Sequence, residues 1–370
     1  MSKNYLIILK PLDWFFFGGE RTHGEGDESD YLAKSNLFPQ QSAVLGMLRY
    51  QLLKQNNLLT VTGVKKTPAE ISAINDLVGT MSFNMTHKES VVDFKKIKKI
   101  SSVCIAKENV NKSMGYDFYN PVPLDYGYEE EINFVEIDNL YLNRNIKSEN
   151  KNTAKIIDDN NVFDHKTYNN YAKWQSQSGN IVNESDIWLD KRKIGITKPK
   201  EGENNNEKSF YKQEYLFFNK GFVYAFFAEL DEELQSDKVF IGGQRSVFDM
   251  KVIPVNENTD VQKLHEQNIP LKERDNKRDN KIVLISDCFV ESLEKLNNLC
   301  LFHWSASVPF RNIETTTEKE NYHIKPKKSK IKYHFLQRGS VLYFEPNNRK
   351  KIEDLLNKNY LQTIGYNIFI

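Results

Sequence analysis

The spacing of apolar residues changes character along the chain. Residues 5–17, YLIILKPLDWFFF, form an apolar run interrupted at Lys10 and Pro11. This predicts a strand ending at the proline and a second extended piece running into Gly18–Gly19. In 35–59, SNLFPQQSAVLGMLRYQLLKQNNLL, Val44, Leu45, Leu48 and Leu52 recur at helical spacing. Pro39 suits the first turn of that helix, and Arg49 lies beside the apolar stripe, so its head must reach past the helix to solvent or a partner. Residues 67–81, TPAEISAINDLVGTM, predict a second helix. It opens with a Thr67–Glu70 capping box, has Pro68 at its first position, and closes near Gly79. MSFNMT (81–86) and KIKKISSVCIAK (96–107) read as strands, so the first hundred residues have an α+β order.

Residues 143–180 are Asn-rich and polar, as expected of a surface insertion or a partly disordered stretch. Ordered structure is expected to return at DIWLDKRKIGI (186–196). After a polar connector, EYLFFNKGFVYAFFAEL (214–230) has the look of a hairpin turning at Asn219–Lys220–Gly221. KVFIGGQR (238–245), KIVLISDCF (281–289) and GSVLYFEP (339–346) read as strands; VESLEKLNNL (290–299) and RKKIEDLLNKN (349–359) read as helices. The expectation is an α+β chain of two halves, 1–142 and 186–370, separated by a polar insertion at 143–185.

Composition narrows the class without naming a chemistry. Basic and acidic residues number 51 and 50, which excludes a uniformly cationic nucleic-acid binder but permits a local basic groove. Three cysteines (Cys104, Cys288, Cys300) have no metal-ligand spacing and form no even set for disulfides. The first apolar run is too short for a signal peptide, and no run approaches the ~20 apolar residues of a membrane span. A cytoplasmic setting is expected.

The two Gly-Gly pairs are the chain's most specific local feature. WFFFGGERTHGEGDES (14–29) and VFIGGQRSVFD (239–249) each end an apolar run with Gly-Gly-x-Arg. Exposed backbone N–H groups followed by an arginine suit phosphate or carboxylate oxygens; the plain alternative is a tight turn with Arg21 paired to Glu20, Glu25 or Asp27. Neither copy fits a Walker or dinucleotide loop. His23 with its neighbouring acids reads as a solvated turn and not as a metal site, and the seven histidines show no pairing by spacing that would suggest acid–base catalysis. Basic stretches at 93–100, 190–200, 324–338 and 347–351 each read first as solvated faces; in 93–100 and 324–338, lysines mixed with β-formers could line one face of a strand and track a phosphate backbone. Phe94, Tyr333 and Phe335 could stack on bases, with core packing as their default.

The order of these motifs resembles a CRISPR-associated RAMP family, the third subunit of the Cmr-type (type III-B) RNA-guided effector complex. KPLDWFFFGGERTHGEGD leads through a Phe-Pro linker to a helix with Gly46 and Arg49 at family positions; RKIGI, FIGGQRSVF, KIVLISDCF, RGSVLYFE and a late GYN continue the likeness. Gln244 stands where the family usually has Glu, FPQQSAV replaces a Pro-rich run, and the C-terminal glycine-rich loop is reduced to little more than Gly365. The resemblance implies two ferredoxin-like (RRM-type) RAMP modules and a subunit without a catalytic centre, metal or cofactor. It implies the 5′ tag of the CRISPR RNA, the large polymerase/cyclase-like subunit and a neighbouring RAMP backbone subunit as partners, and no membrane. Gly18, Gly19, Arg21, His23, Gln41, Ser42, Arg49, Gln244 and Arg245 are the expected RNA contacts. The runner-up is a metal-independent RAMP endoribonuclease that processes precursor CRISPR RNA and depends on His23.

Overall fold

The computed structural model describes residues 2–19, 21–22, 32–59, 66–80, 82–85, 93–124, 126–129, 133–136, 155–158, 161–164, 173–196, 210–243, 246–255, 259–268, 280–317 and 324–370. Strands β1 (Lys3–Pro11), β2 (Arg21–Thr22) and β3 (Leu32–Lys34) precede helices α1 (Gln41–Gln55) and α2 (Pro68–Val78). Next come β4 (Ile97–Ile100), β5 (Cys104–Glu108), β6 (Tyr116–Pro121), β7 (Lys173–Ser176) and β8 (Ile181–Asn183). After these follow β9 (Trp188–Ile196), β10 (Phe210–Phe218), β11 (Phe222–Leu230), β12 (Asp237–Phe240), β13 (Val247–Val255) and helix α3 (Val261–Asn268).

Nine strands form one antiparallel sheet in the order β8-β7-β6-β5-β11-β1-β13-β12, with β4 also paired to β11. Its centre is covered on both faces, which is why YLIIL and FVYAFFA are continuous apolar runs and do not alternate with polar residues. Tyr5, Ile7, Leu9, Phe222, Tyr224 and Phe226 point into one core with α1; Leu6, Ile8, Val223, Ala225 and Phe227 point into another with Val261 and Leu264 of α3. This split follows the period of two along each strand. The N-terminal strand β1 lies between β11 and β13, with Ile7 opposite both Phe226 and Val252, so the sheet draws on both sides of the expected boundary. A smaller unit near the C-terminus packs the antiparallel strands Lys281–Val283, Val341–Phe344 and Cys300–Trp304 over a core that includes Leu296, Ile352 and Leu356.

Several sequence expectations are met. β1 ends at Pro11, the α1 stripe is buried, and Thr67 and Glu70 form their reciprocal cap. Others are corrected. Pro39 lies just before the helix: Gln40 is the residue that caps α1, with extended backbone. Residues 82–85 form no strand; Phe83 and Met85 are buried, and the Met85 N–H donates to Asn312 Oδ1 at 3.3 Å instead of to a neighbouring strand. Strands occur earlier than composition suggested: Lys155–Asp158 pairs with Asn161–Asp164, and Lys173–Ser176 joins the central sheet, where Trp174 is buried at 4% exposure.

The turn at 219–221 forms, with Phe222 N–H donating to Asn219 O at 3.2 Å, yet the strands it joins are not a hairpin. β10 pairs with β9 and β3, whereas β11 pairs with β1, β4 and β5. The two strands lie in different sheets and meet through their rings, Phe218 and Tyr224 lying 4.5 Å apart between centroids. An aromatic-rich pair of runs satisfies face-to-face packing as readily as edge pairing, and periodicity alone does not separate the two.

Two predictions follow from the packing. A β-carbon on Gly19 would collide with the Lys34 carbonyl, whereas Gly46, exposed on α1, faces open space. Gly19→Ala is expected to cost about 1–3 kcal/mol and Gly46→Ala to gain about 0.5–1 kcal/mol, measured by chemical denaturation. Secondly, Asp237 on β12 accepts from Lys54 Nζ at 2.6 Å and Gln51 Nε2 at 3.0 Å of α1, and these bonds hold its pKa down to about 2 from 3.8. A depressed carboxylate contributes stability above its unfolded pKa that is lost as pH falls through the folded one. Asp237→Asn should therefore flatten the fall in stability between about pH 4 and pH 2, and an unchanged profile would show that the bridge contributes nothing.

Candidate nucleic-acid interface

The second Gly-Gly pair meets the residues just before the first. Gly243 N–H donates to the Phe16 carbonyl at 2.7 Å, Phe16 N–H donates to Ser246 Oγ at 3.1 Å, and Phe16 and Gly243 form an antiparallel bridge. On the other side, Asn36 N–H donates to Gly18 O at 2.9 Å and Phe17 N–H to Ser35 Oγ at 3.0 Å. A side chain on Gly242 would meet the Phe16 carbonyl and the Phe17 ring, both at 2.7 Å, and its φ of +87° favours glycine as well. Glycine here permits three chain segments to cross at backbone distance.

From this junction the chain enters a second sheet, in the order β9-β10-β3-β2, antiparallel except for the parallel pair β10 and β3. The registers place Lys193, Gln213, Ala33 and Arg21 in one cross-strand row, with Lys193, Gln213 and Ala33 on one face. The next row on that face pairs Lys191 with Tyr215, and the one after it Leu189 with Phe217. Lys193 Nζ lies 4.5 Å from the centre of the Tyr215 ring, and Lys191 Nζ lies 5.6 Å from that of Trp14. Trp14 leans on Phe217, and Phe16 on Tyr215, each at 5.7 Å. The three rings of Trp14, Tyr215 and Phe217 are half-buried, and residues 189–194 are exposed along the free edge strand β9. On the opposite face Arg192 Nε bonds Glu214 Oε2 at 3.2 Å. One face thus carries lysines above partly open aromatic rings, the combination that stacks unpaired bases and tracks their phosphates.

The remaining expected contacts divide by position. Gly18 and Gly19 lie at the junction, and Arg21 in the row just described. His23, Gln244 and Arg245 lie outside the described residues. Gln41 is buried at 1% exposure: its Nε2 donates to the carbonyls of Ser101 and Ile364, both at 2.9 Å. The entry to α1, where Gln41 and Ser42 are expected RNA contacts, is covered by Tyr366. Its buried hydroxyl accepts the Gln41 N–H at 3.0 Å and also meets the Ser42 backbone. Burial raises the pKa of that hydroxyl, so it remains a neutral donor and acceptor. Arg49 does not reach solvent freely: its Nη2 donates to the Gly79 carbonyl at 3.1 Å, fastening α1 to the end of α2. Phe94 and Phe335 are buried at 3% and 1%, and Tyr333 packs edge-on against Phe289, so all three serve the core.

Sequence reasoning missed Trp14, Tyr215 and Phe217. The signal was present as alternation, Lys191 and Lys193 against Tyr215 and Phe217 at a spacing of two, but the register that brings them together is set by tertiary packing. Tyr366→Phe should destabilise the protein by about 1–3 kcal/mol, because it leaves the buried Gln41 N–H without an acceptor. Thermal or denaturant unfolding of the purified chain measures this; an unchanged midpoint would mean that water replaces the hydroxyl.

The sequence matches the family model described as CRISPR-associated protein (Cas_Cmr3) over residues 7–370. No curated protein matches it. Among solved structures, it is similar to a chain of the Type III-B Cmr-beta bound to cognate target RNA and AMPPnP, state 1, determined by cryo-EM. The identity is 16% and the TM-score 0.48, over 100% of this chain and 96% of that one. A second cryo-EM structure, Type III-B Cmr-beta bound to cognate target RNA, gives 17% identity and a TM-score of 0.49 over the same shares.

Proposed function

The chain belongs to the Cas_Cmr3 family of CRISPR-associated proteins, and on that premise we propose that it is a non-catalytic subunit of a type III-B effector ribonucleoprotein that binds the 5′ tag of the CRISPR RNA. In this reading its protein partners are the large polymerase/cyclase-like subunit, which it anchors, and a neighbouring RAMP backbone subunit. The observation that carries the RNA assignment is the lysine-over-ring face of β9-β10-β3-β2, where Arg21 falls in the same row as Lys193. A splayed tag nucleotide would stack on Tyr215 or Trp14 while Lys191 and Lys193 meet adjacent phosphates. Gly18 and Gly19 set the course of the segment that delivers Arg21 and His23. We read residues 1–142 and 186–370 as two ferredoxin-like modules whose strands share the central sheet.

The test reconstitutes the complex with Lys191→Ala/Lys193→Ala, with Tyr215→Ala, and with Arg21→Ala/His23→Ala. Removing a stacking ring costs about 1–3 kcal/mol per base, so Tyr215→Ala should weaken guide retention roughly 5- to 150-fold. The double lysine variant should lose affinity and show a shallower salt dependence. Tag protection unchanged in all three variants would sink the assignment. The isolated chain is tested alongside for cleavage of precursor RNA in the presence of a chelator. Metal-independent cutting that His23→Ala abolishes would put the endoribonuclease ahead.

A further inference from the structure

A cleft of about 310 Å³ lies between the segment carrying Phe38 and Pro39, the start of β7, and the loop after Leu336. Its walls are aromatic and proline side chains, among them Phe38, Trp174, Pro309 and Phe310. Its size suits a single mononucleotide-sized group.

The charges lining it are already engaged. Arg338 is nearly buried, with its side chain at 5% exposure. Its guanidinium lies 3.8 Å from the centre of the Phe38 ring, Nη1 donates to the Val103 carbonyl at 2.6 Å, and Nε donates to Asp287 at 3.4 Å. Lys173 has an interaction of its own, and burial raises the Glu184 carboxyl towards its neutral form. No free cation is therefore offered to a phosphate among these groups. What the cleft does offer are three side-chain carboxamides, Asn36, Gln40 and Gln337, all half-exposed. None makes a side-chain hydrogen bond among the described residues. Each carries a donor and an acceptor side by side, the complement of a nucleobase edge. A ligand matched to this site is neutral, flat and bordered by paired donors and acceptors.

We propose that this cleft is a binding site for one unstacked nucleobase. The base comes either from an RNA strand, in which case the proposal rests on the nucleic-acid reading above, or from a free mononucleotide. Gln337 and Asn36 read its edge, and the apolar walls exclude water from its faces.

In the test, 2-aminopurine is placed at single positions of the guide RNA in the assembled complex, with wild-type protein and with Gln337→Ala and Asn36→Ala. One position should change its fluorescence on assembly and return to the free-RNA value in Gln337→Ala, with guide retention unaltered. In parallel, AMP, GMP, CMP and UMP are titrated against the purified full chain by ligand-observed NMR; binding weakened at least fivefold in Gln337→Ala would identify a free nucleotide as the source. The inference is overturned if every position behaves alike in wild type and variants and no mononucleotide binds. A cleft filled by a protein segment in the complex would give that overturning result. Loss of guide retention confined to the Lys191/Lys193 variant, with mononucleotide binding intact, would keep the two sites distinct.

Discussion

The arrangement depends on a backbone approach beside Gly242, where a side chain would meet the Phe16 carbonyl and the Phe17 ring at 2.7 Å. Phe16 carbonyl and Gly243 N–H lie 2.7 Å apart while Gly18 O accepts from Asn36 on the other side, so the first aromatic run is clamped between segments more than two hundred residues apart in sequence. The clamp fixes where Phe15 and Phe17 enter the core, both against Phe248 of β13 and Tyr224 of β11. It also fixes where the chain leaves the core to form β2 and β3, so core packing and the geometry of the outer sheet are set at one point. Residues contributed by long-range pairing are ordered together, at an entropic cost that the buried rings on both faces of β11 must offset.

How much of this was legible follows from which distances matter. Local signals were sufficient for the Thr67–Glu70 cap, the end of β1 at Pro11 and the buried stripe of α1, because each depends on residues within a few positions. The Gly-Gly pairs were legible as special, but not the approach of the second to Phe16 and Phe17: composition shows that backbone must pass close, and cannot show what passes. The same limit explains the missed aromatic face. Lys193 and Tyr215 are 22 positions apart, with a polar connector between them, and only the β9–β10 register opposes Lys191 to Tyr215. The turn after Phe218 was read correctly and its consequence was not, since a turn reverses the chain without stating which sheet receives the next strand. Gln41 illustrates the converse: a polar residue at a helix entry invites a ligand, but its amide here ties α1 to Ser101 and Ile364 inside the protein.

Charge placement distinguishes the outer sheet from the other basic stretches. A net charge of +1 gives no long-range attraction to RNA, so any affinity must be local. In the 93–100 stretch, Lys95, Lys98 and Lys99 bond Asp93, Asp231 and Asp260 at 2.7, 2.9 and 2.7 Å. Their charge is neutralised where it stands, and their contribution is to hold β4 against its surroundings. Lys191 and Lys193 sit instead above ring faces, where the cation–π attraction at an exposed site is about 0.5–1 kcal/mol. That is weak enough for a phosphate to draw the ammonium away, and moving it uncovers the ring for a base. A lysine paired to a carboxylate would have to break a charge-assisted hydrogen bond first. By this reasoning the outer sheet of an overall neutral chain presents a face on which cation and ring can be released together, which is what the proposed RNA contact requires.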